Sequence, residues 1–355
     1  MAMQDFNGDS DPVVSFQSVD IVFGTQPKRA LPLIDEGLSR DEIQARTNQV
    51  VGVTGATFDV HEGEVLVLMG LSGSGKSTLL RAVNGLNPVI RGKVLVRDGD
   101  EQVNPAKCSR ERLRHLRRSR IAMVFQQFAL LPWRTVLDNV GFALELSGVA
   151  RKEREERARA QLDLVGLSEW ADNPVHELSG GMQQRVGLAR AFATDAPILL
   201  MDEPFSALDP LIRGRLQDEL LEFQAKLNRT IIFVSHDLDE AVKIGSRIAI
   251  MESARVVQLG TPQEIVRKPA TGYVADFVAH MNPLNVLRAR DVMVDPDGAK
   301  LNGNPTCAAR TPVRDLIEMC LETGEPVFVR EGEEVLGMVR QSDLLECLRQ
   351  DTHRQ

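Results

Sequence analysis

Residues 70–78, GLSGSGKST, combine glycines, a lysine and hydroxyl groups at a spacing that is typical of phosphate-binding loops. They satisfy the pattern G-x-x-x-x-G-K-[ST], in which glycines let backbone N–H groups turn toward a phosphate. The lysine would reach the β and γ oxygens of a nucleotide, and the serine after it would offer its hydroxyl to Mg²⁺. The nucleotide-binding residues predicted from this loop are Gly70, Ser72, Gly73, Ser74, Gly75, Lys76, Ser77 and Thr78.

Three more polar side chains follow apolar runs that predict strands. Asp202 and Glu203 end the run ILLMDE, and His236 ends TIIFVSH. Because open parallel sheets bind ligands at the carboxyl ends of their strands, we expect these side chains beside the phosphate loop. Asp202 and Ser77 would hold Mg²⁺, Glu203 would polarise the attacking water, and His236 would hydrogen-bond that water or the γ-phosphate. Without a phosphate loop in the same sequence, the acidic pair would indicate only a solvated end of a strand. The histidine would then be interpreted as a structural residue.

Strand signals alternate with helical segments along the chain, which predicts an α/β fold with a largely parallel sheet. The strand runs are VVSFQSVDIVF, EVLVLM, IAMVFQ, ILLMDEP, TIIFVSH and RIAIME. Residues 127–195 carry helical periodicity and predict a helical insert. Residues 24–50 predict an added arm between the first two strands, with a helix whose Ser39 and Glu42 have capping-box spacing.

Kinases, GTPases and helicases share such a phosphate loop, but the stretch LSGGMQQRVGLARA at residues 178–191 resembles the signature of ABC-type ATPases. The resemblance implies a P-loop nucleotide-binding domain with a helical subdomain, and ATP as the nucleotide. It also implies a head-to-tail dimer, in which Ser179, Gly180 and Gly181 of one copy cap the γ-phosphate bound to the other. Met182 replaces the glutamine that usually closes the signature, which affects only a side-chain contact.

The remaining family motifs stand in order around the signature. Gln126 in MVFQQFALLP resembles the Q-loop glutamine, which the family uses to join the metal and the water to the helical insert. The stretch SALD at residues 206–209 resembles the D-loop, and its Asp209 is assigned to the nucleotide site. Phe23 ends the first strand where the family stacks an aromatic ring on adenine; the alternative is a core residue of the strand.

The composition of the 355 residues excludes several classes of protein. A net charge of −8 argues against a general nucleic-acid binder, whose surface would be basic. The polar N-terminus resembles no secretory signal, and no apolar run approaches the ~18 residues needed to span a bilayer. We therefore expect a cytosolic, non-spanning chain. No C-x-x-C pair is present, so we expect reduced, packing cysteines at positions 108, 307, 320 and 347.

The last part of the chain, residues 284–355, predicts a small α+β unit beyond an ATPase domain at residues 1–283. Thr311 suits an N-cap and Pro312 the first helical position, and short strands are predicted at residues 327–329 and 336–339. The segment EPVFVREGEEVLGMVRQSDLLECL is similar to a single CBS module. The resemblance implies a regulatory or dimer-supporting role.

The chain resembles, more narrowly, the ATPase subunits of bacterial importers. The stretch FALLPWRTVLDNV after Gln126 looks like the surface that receives coupling helices from a permease. Across residues 13–287 the arm, the phosphate loop and FVAHMNPLNVL are similar to the quaternary-amine branch, closest to choline uptake, with glycine betaine or proline betaine as the alternative. The implied partners are a second copy, transmembrane permease subunits and an extracytoplasmic substrate-binding protein, without nucleic acid. The implied location is the cytoplasmic face of the inner membrane. A soluble ABC ATPase and a P-loop phosphotransferase are the competing readings.

Overall fold

Extended segments pair into three sheets in the computed structural model, which describes residues 11–279, 281–282, 284, 286–296, 303–332 and 334–349. All six predicted strand runs form strands. The strands of the described residues are β1 (Val14–Phe23), β2 (Val50–Val60), β3 (Val65–Met69), β4 (Arg91–Asp98), β5 (Glu101–Val103), β6 (Ile121–Val124), β7 (Ile198–Asp202), β8 (Thr230–Val234), β9 (Arg247–Glu252), β10 (Arg255–Gly260), β11 (Thr306–Ala308), β12 (Val327–Glu331) and β13 (Glu334–Val339).

Helices connect these strands, and the longest stretch without a strand separates β6 from β7, as predicted. Within the described ranges, no helix is long and apolar enough to cross a membrane. The helices are α1 (Leu31–Asp35), α2 (Arg40–Thr47), α3 (Lys76–Val83), α4 (Arg110–His115), α5 (Val136–Leu146), α6 (Arg151–Leu164), α7 (Gly180–Phe192), α8 (Pro210–Leu227), α9 (Leu238–Ile244), α10 (Pro262–Arg267), α11 (Gly272–Val278), α12 (Ala289–Val292), α13 (Val313–Thr323) and α14 (Gln341–Arg349).

The six-stranded sheet, in the order β10-β9-β3-β8-β7-β6, positions the functional residues. Strands β3, β8, β7 and β6 pair in parallel, and every residue of β3, β7 and β8 is buried. Continuous burial explains why their sequences are apolar runs without alternation. Parallel pairing brings the carboxyl ends of β3, β7 and β8 to one edge. The phosphate loop, Glu203 and His236 follow these three strand ends.

The first strand departs from the prediction, because β1 belongs to a separate antiparallel sheet in the order β2-β1-β4-β5. Val14 pairs with Val60 of β2 and with Val96 of β4. The burial of β2 alternates over its second half, as expected for a strand with one solvated face. Apolar composition predicted the strand of β1 correctly, but it contains no information about the direction of its partners.

The predicted arm forms α1 and α2, which pack on the antiparallel sheet through a small apolar cluster. The predicted capping box is present: Ser39 N–H donates to Glu42 at 2.9 Å, and Glu42 N–H donates to Ser39 Oγ at 3.3 Å. The cluster consists of Val22, Ala30, Ile34, Ile43, Val51 and Ala254.

The chain divides into two compact units, residues 1–236 with 249–256 and residues 237–248 with 257–355. In the second unit β11 runs parallel to β12, and β12 is antiparallel to β13. The predicted N-cap at Thr311 is wrong: Pro312 is the cap, because it bridges to Arg288 and Val313 N–H bonds Leu287 O at 2.9 Å. The predicted boundary after residue 283 falls outside the described residues and stays a prediction.

Candidate nucleotide-binding and hydrolysis site

The phosphate loop between β3 and α3 has a backbone that only glycine permits at two positions. Gly70 has φ +139°, and a Cβ there would lie 2.1 Å from Met251 O. Gly75 has φ +103°, and a Cβ there would lie 2.2 Å from Gly52 O. Any side chain at either position would be strained and would collide with backbone. The first and last glycines of the motif are therefore required by the path of the loop.

The start of α3 offers polar groups to an anion. Gly75 is the N-cap and supplies no side-chain hydrogen bond, so the first N–H groups of the helix lack a cap. Ser74 Oγ is buried and has no hydrogen-bond partner among the described residues. A buried hydroxyl without a partner is costly, and a phosphate oxygen would satisfy it. The loop therefore fits a nucleotide phosphate.

Lys76 is folded back onto the loop. Its ammonium donates to Gly70 O at 2.8 Å and to Leu71 O at 3.0 Å. Burial lowers the pKa of this ammonium below the usual lysine range, while the carboxylates of Glu203 and Asp202 act in the opposite direction. A bound polyphosphate would offer negative oxygens in place of two neutral carbonyls. Lys76 is placed to exchange one set of partners for the other.

The predicted metal pair, Ser77 and Asp202, meets in the structure. Ser77 Oγ donates to Asp202 Oδ1 at 2.6 Å, and Asp202 is fully buried at the end of β7. Hydroxyl and carboxylate oxygens suit Mg²⁺, so this donor set fits the ion. Arg81, which sequence reasoning missed, donates to Asp202 Oδ2 at 2.8 and 3.2 Å. Its position on the helix that follows the phosphate loop, five residues after Lys76, was the sequence feature that could have indicated it.

The three predicted catalytic residues converge on one carboxylate oxygen. Gln126 Nε2 donates to Glu203 Oε2 at 3.3 Å, and His236 Nδ1 lies 3.4 Å from the same oxygen. Glu203 has φ +48°, a left-handed conformation that is uncommon for a residue with a side chain. Such conformations cluster at functional sites. Gln126 contacts Glu203 rather than the Ser77–Asp202 pair, so its predicted metal role stays a prediction.

Gln184 on the signature helix α7 holds the backbone around Glu203 and was missed by sequence reasoning. It is buried, its Nε2 donates to Glu203 O at 3.2 Å, and its Oε1 accepts from Ala207 N–H at 3.0 Å. The available signal was an amide on a helix face that is otherwise apolar, since Leu188 and Ala191 lie one and two turns further along it. Gln184 therefore joins the signature helix to the hydrolysis site of its own chain.

The signature residues do not join the phosphate loop of their own chain. Ser179 caps α7 and accepts from Met182 N–H at 3.4 Å, and in the described part of the chain no hydrogen bond joins Ser179 to residues 70–78. Gly180 is exposed, while a Cβ on Gly181 would lie 3.2 Å from Ala207 O. The exposed start of α7 thus remains available to another molecule.

Asp209 and Phe23, the two remaining predicted nucleotide contacts, lie at the start of α8 and at the end of β1. Asp209 is the N-cap of α8 and accepts from Ile212 N–H at 3.0 Å. Phe23 is half-buried at the end of β1, and a Cβ on Gly52 would lie 2.8 Å from its ring and 2.9 Å from Thr78 Cγ2. The ring therefore lies near the start of α3. The adenine contact of Phe23 and the nucleotide contact of Asp209 stay predictions.

The arrangement combines an anion cradle, a metal-type donor pair and a carboxylate that could accept a proton from water. These are the parts that phosphate hydrolysis requires, because positioning and charge stabilisation supply most of the catalysis. Glu203 could accept a proton from water, Gln126 and His236 lie where they could orient its carboxylate, and Ser77 with Asp202 could supply oxygens for a cation. The site matches nucleotide hydrolysis.

Comparisons with known proteins agree with this chemistry. The ABC transporter family model matches residues 53–206. The glycine betaine/proline betaine transport system ATP-binding protein ProV of Salmonella typhimurium is 47% identical over 93% of this chain and 81% of its own length. The trimethylamine N-oxide transport system ATP-binding protein TmoW of Ruegeria pomeroyi is 43% identical over 95% of this chain and 97% of its own length.

A solved structure shares the architecture. The dimeric structure of MJ0796, described as a bacterial ABC transporter cassette, is 28% identical with a TM-score of 0.60, and covers 70% of this chain and 98% of its own. The chain therefore belongs to the ABC transporter family as a transport-coupled ATPase, in the branch of the quaternary-amine importers.

Proposed function

We propose that this chain hydrolyses MgATP to drive the uptake of a quaternary amine through a partner permease. The observation that carries the proposal is the convergence of Gln126 and His236 on Glu203 Oε2, one residue from the Ser77–Asp202 pair. A carboxylate held this way can orient a water and take its proton. The phosphate cradle supplies the second requirement.

Each side chain has a distinct task in this proposal. Lys76 moves from the loop carbonyls to the β and γ oxygens of ATP, and the uncapped start of α3 binds the phosphates. Ser77 and Asp202 would hold Mg²⁺, which neutralises charge that develops on the phosphate oxygens when it is bound. Glu203 accepts the proton of the attacking water, while Gln126 and His236 fix the orientation of its carboxylate.

A second copy completes each site in the proposed active unit. Ser179, Gly180 and Gly181 lie at an exposed helix start without a bond to their own phosphate loop. A helix N-terminus attracts anions, so this surface suits the γ-phosphate bound to another copy. The dimeric arrangement named for the solved relative supports such pairing.

A cavity of about 330 Å³ is the proposed docking site for the permease. Apolar side chains of β6 and of α5 line it, and Ala129 contributes from the segment after Gln126; Arg117 and Arg118 are also among the lining residues. Trp133, which follows Gln126 by seven positions in the chain, is 77% exposed, and a large apolar side chain that is this exposed suits a protein contact. Docking there would hold the chain peripherally at the cytoplasmic face of the inner membrane, with a substrate-binding protein acting on the other side.

Arg190 links this docking cavity to the signature helix. Its guanidinium donates to Ala129 O at 2.7 Å and to Phe128 O at 2.8 Å, the residues that follow Gln126 closely. Both have positive φ values of +47° and +49°. Burial lowers the pKa of Arg190 to about 10, so it stays charged at neutral pH. A permease that moves this segment would therefore pull on α7 and on Gln126 together.

The solute belongs to the quaternary amines or their close relatives. Choline is the solute predicted from the sequence, but the relatives with 40–47% identity over more than 80% of this chain are named for glycine betaine, proline betaine, carnitine or trimethylamine N-oxide. A relative named for choline covers 64% of this chain. Glycine betaine is therefore the better-supported solute, with choline as the alternative.

The second unit supports the proposed CBS-like, regulatory tail. Its β11, α13, β12, β13 and α14 follow in strand–helix–strand–strand–helix order around their own apolar core. One such repeat is small for a stable module, so we propose that the tails of two copies pair. Arg340, which donates to Asp343, stands where ribose-binding copies tend to carry threonine, so no nucleotide is assigned to the tail.

Reconstitution with the permease tests the proposal. The chain and its permease, placed in proteoliposomes with the binding protein, should hydrolyse ATP faster when the solute is present, and glycine betaine, proline betaine and choline are compared. Inorganic phosphate should be the product. Full activity without permease would favour the soluble ATPase, and transfer of the γ-phosphate to anything but water would favour a phosphotransferase.

A further inference from the structure

The arm at residues 24–50 is rigidly joined to the body of its unit. Its buried side chains share the small apolar cluster with β1 and β2. Arg91 donates to Asp35 of the arm at 2.7 and 2.9 Å and also binds the buried Asp20. Gln49 accepts from Gln26 N–H at 3.0 Å and ties the two ends of the arm together. An insertion that is joined to its unit at two places, and whose own ends are tied together, has a fixed position.

The start of α2 is the best-defined part of the arm. The reciprocal hydrogen bonds of Ser39 and Glu42 fix the first turn, and Arg40 is the first helical residue after the cap. A capping box restrains the backbone of precisely those positions at which helices otherwise fray. The direction in which the Arg40 side chain leaves the backbone is therefore set by the sequence around it.

Arg40 contacts the phosphate loop. Its Nη1 donates to Gly73 O at 2.6 Å, a short hydrogen bond from a charged donor to a carbonyl oxygen. Gly73 lies at the exposed tip of the loop, inside a turn that Ser74 N–H closes on Leu71 O at 3.2 Å. In the described residues Arg40 forms no ion pair with a carboxylate. A charged donor whose one hydrogen-bond partner in the described part of the chain is a neutral carbonyl can still attract an anion.

We propose that Arg40 is a positioning residue for the nucleotide and that the arm thereby sets the affinity for ATP. Backbone N–H groups of such loops face the phosphates, so a donor on a loop carbonyl holds the loop from the outside. Arg40 fixes the tip in one conformation before ATP arrives, which lowers the ordering cost of binding. It also adds a positive charge beside the cradle. The arm is thus part of the nucleotide site.

The proposal rests on ATP being the nucleotide, and full-length variants separate the two claims. Arg40→Ala removes both the hydrogen bond to Gly73 O and the positive charge. Arg40→Gln keeps a neutral hydrogen-bond donor, and Arg40→Lys keeps the charge but lacks the planar guanidinium. Arg46→Ala is the matched control, because it removes an equal charge from the exposed end of the same helix. Lys76→Ala is the control for ATP binding itself.

Affinity for MgATP and steady-state hydrolysis are measured at low and moderate salt. Arg40→Ala and Arg40→Gln should raise Kd and KM about tenfold, the effect of losing one charge-assisted hydrogen bond, with kcat within twofold. Arg40→Lys should recover most of the affinity, more so at low salt. Arg46→Ala should match the wild type. If Arg40→Ala does not fold, the Kd of Arg40→Gln is compared with that of Arg40→Lys, and the glutamine variant should bind MgATP more weakly.

Two results would overturn the proposal. In the first, Arg40→Ala and Arg40→Gln bind MgATP with a Kd within twofold of the wild type. In the second, Arg46→Ala loses as much affinity as Arg40→Ala. Either result would leave ATP binding by Lys76 intact. A wild-type chain that fails to bind ATP, or a Lys76→Ala chain that binds it normally, would instead contradict the proposed function and with it the role of Arg40.

Discussion

Replacing Gln184 by leucine removes the link between the signature helix and the hydrolysis site while nearly keeping the volume of the side chain. Two hydrogen bonds are lost, one to Glu203 O and one from Ala207 N–H. Glu203 O keeps the hydroxyl of Ser206 at 3.1 Å, so its carbonyl is not left without a partner. Each lost bond is worth about 1 kcal/mol, and the total is about 2 kcal/mol.

The loss should fall largely on catalysis, because Glu203 has the left-handed backbone that the lost bonds support. If the working geometry becomes less favourable by about 1.4 kcal/mol, kcat falls about tenfold. The KM for MgATP should stay within twofold, since no phosphate-binding group is touched. Steady-state hydrolysis by Gln184→Leu is compared with Gln183→Leu, whose Nε2 bonds Leu178 O at 3.0 Å away from Glu203. Equal kcat values for both variants would refute the reasoning.

Two further perturbations test the dimer and the tail. A mixed dimer of Lys76→Ala and Ser179→Arg copies places both lesions in one site and leaves the other intact, so its ATPase rate should exceed that of either homodimer; equal inactivity of all three would remove the support for sharing between copies. A chain ending at residue 283 should still bind and hydrolyse ATP, while transport in proteoliposomes should lose its dependence on ionic strength or a small effector. Loss of ATP binding by the shortened chain would show that the tail is needed for the structure of the ATPase domain. Unchanged regulation of its transport would show that the tail is not the sensor.

The sequence predicted the elements that carry the site, because short-range patterns determine them. The runs that became β3, β7 and β8 are apolar without alternation except for Thr230 and Asp202 at strand ends, and parallel strands in one sheet bring their carboxyl ends together. Placing Asp202, Glu203 and His236 beside the phosphate loop followed from that rule alone. The capping box of Ser39 and Glu42 was equally local.

Contacts between distant segments could not be predicted in this way. Arg40 and Gly73 are 33 positions apart, and Gln184 and Glu203 are 19 apart, so neither pair has a spacing rule. The antiparallel partners of β1 were missed for the same reason. The start of α13 was misplaced by one residue, because a bridge from Arg288 to Pro312 determines it.

The rate of ATP hydrolysis by Glu203→Gln tests the central claim most directly. Glutamine keeps the size and the neighbours of the side chain but cannot take a proton, and a general base contributes about 10²- to 10⁴-fold to the rate. Hydrolysis should therefore fall by at least about a hundredfold, with the Kd for MgATP within a fewfold of the wild type, while Glu169→Gln on the exposed surface changes neither. A Glu203→Gln chain that hydrolyses ATP at nearly the wild-type rate would contradict the assignment of Glu203 as the carboxylate that activates water.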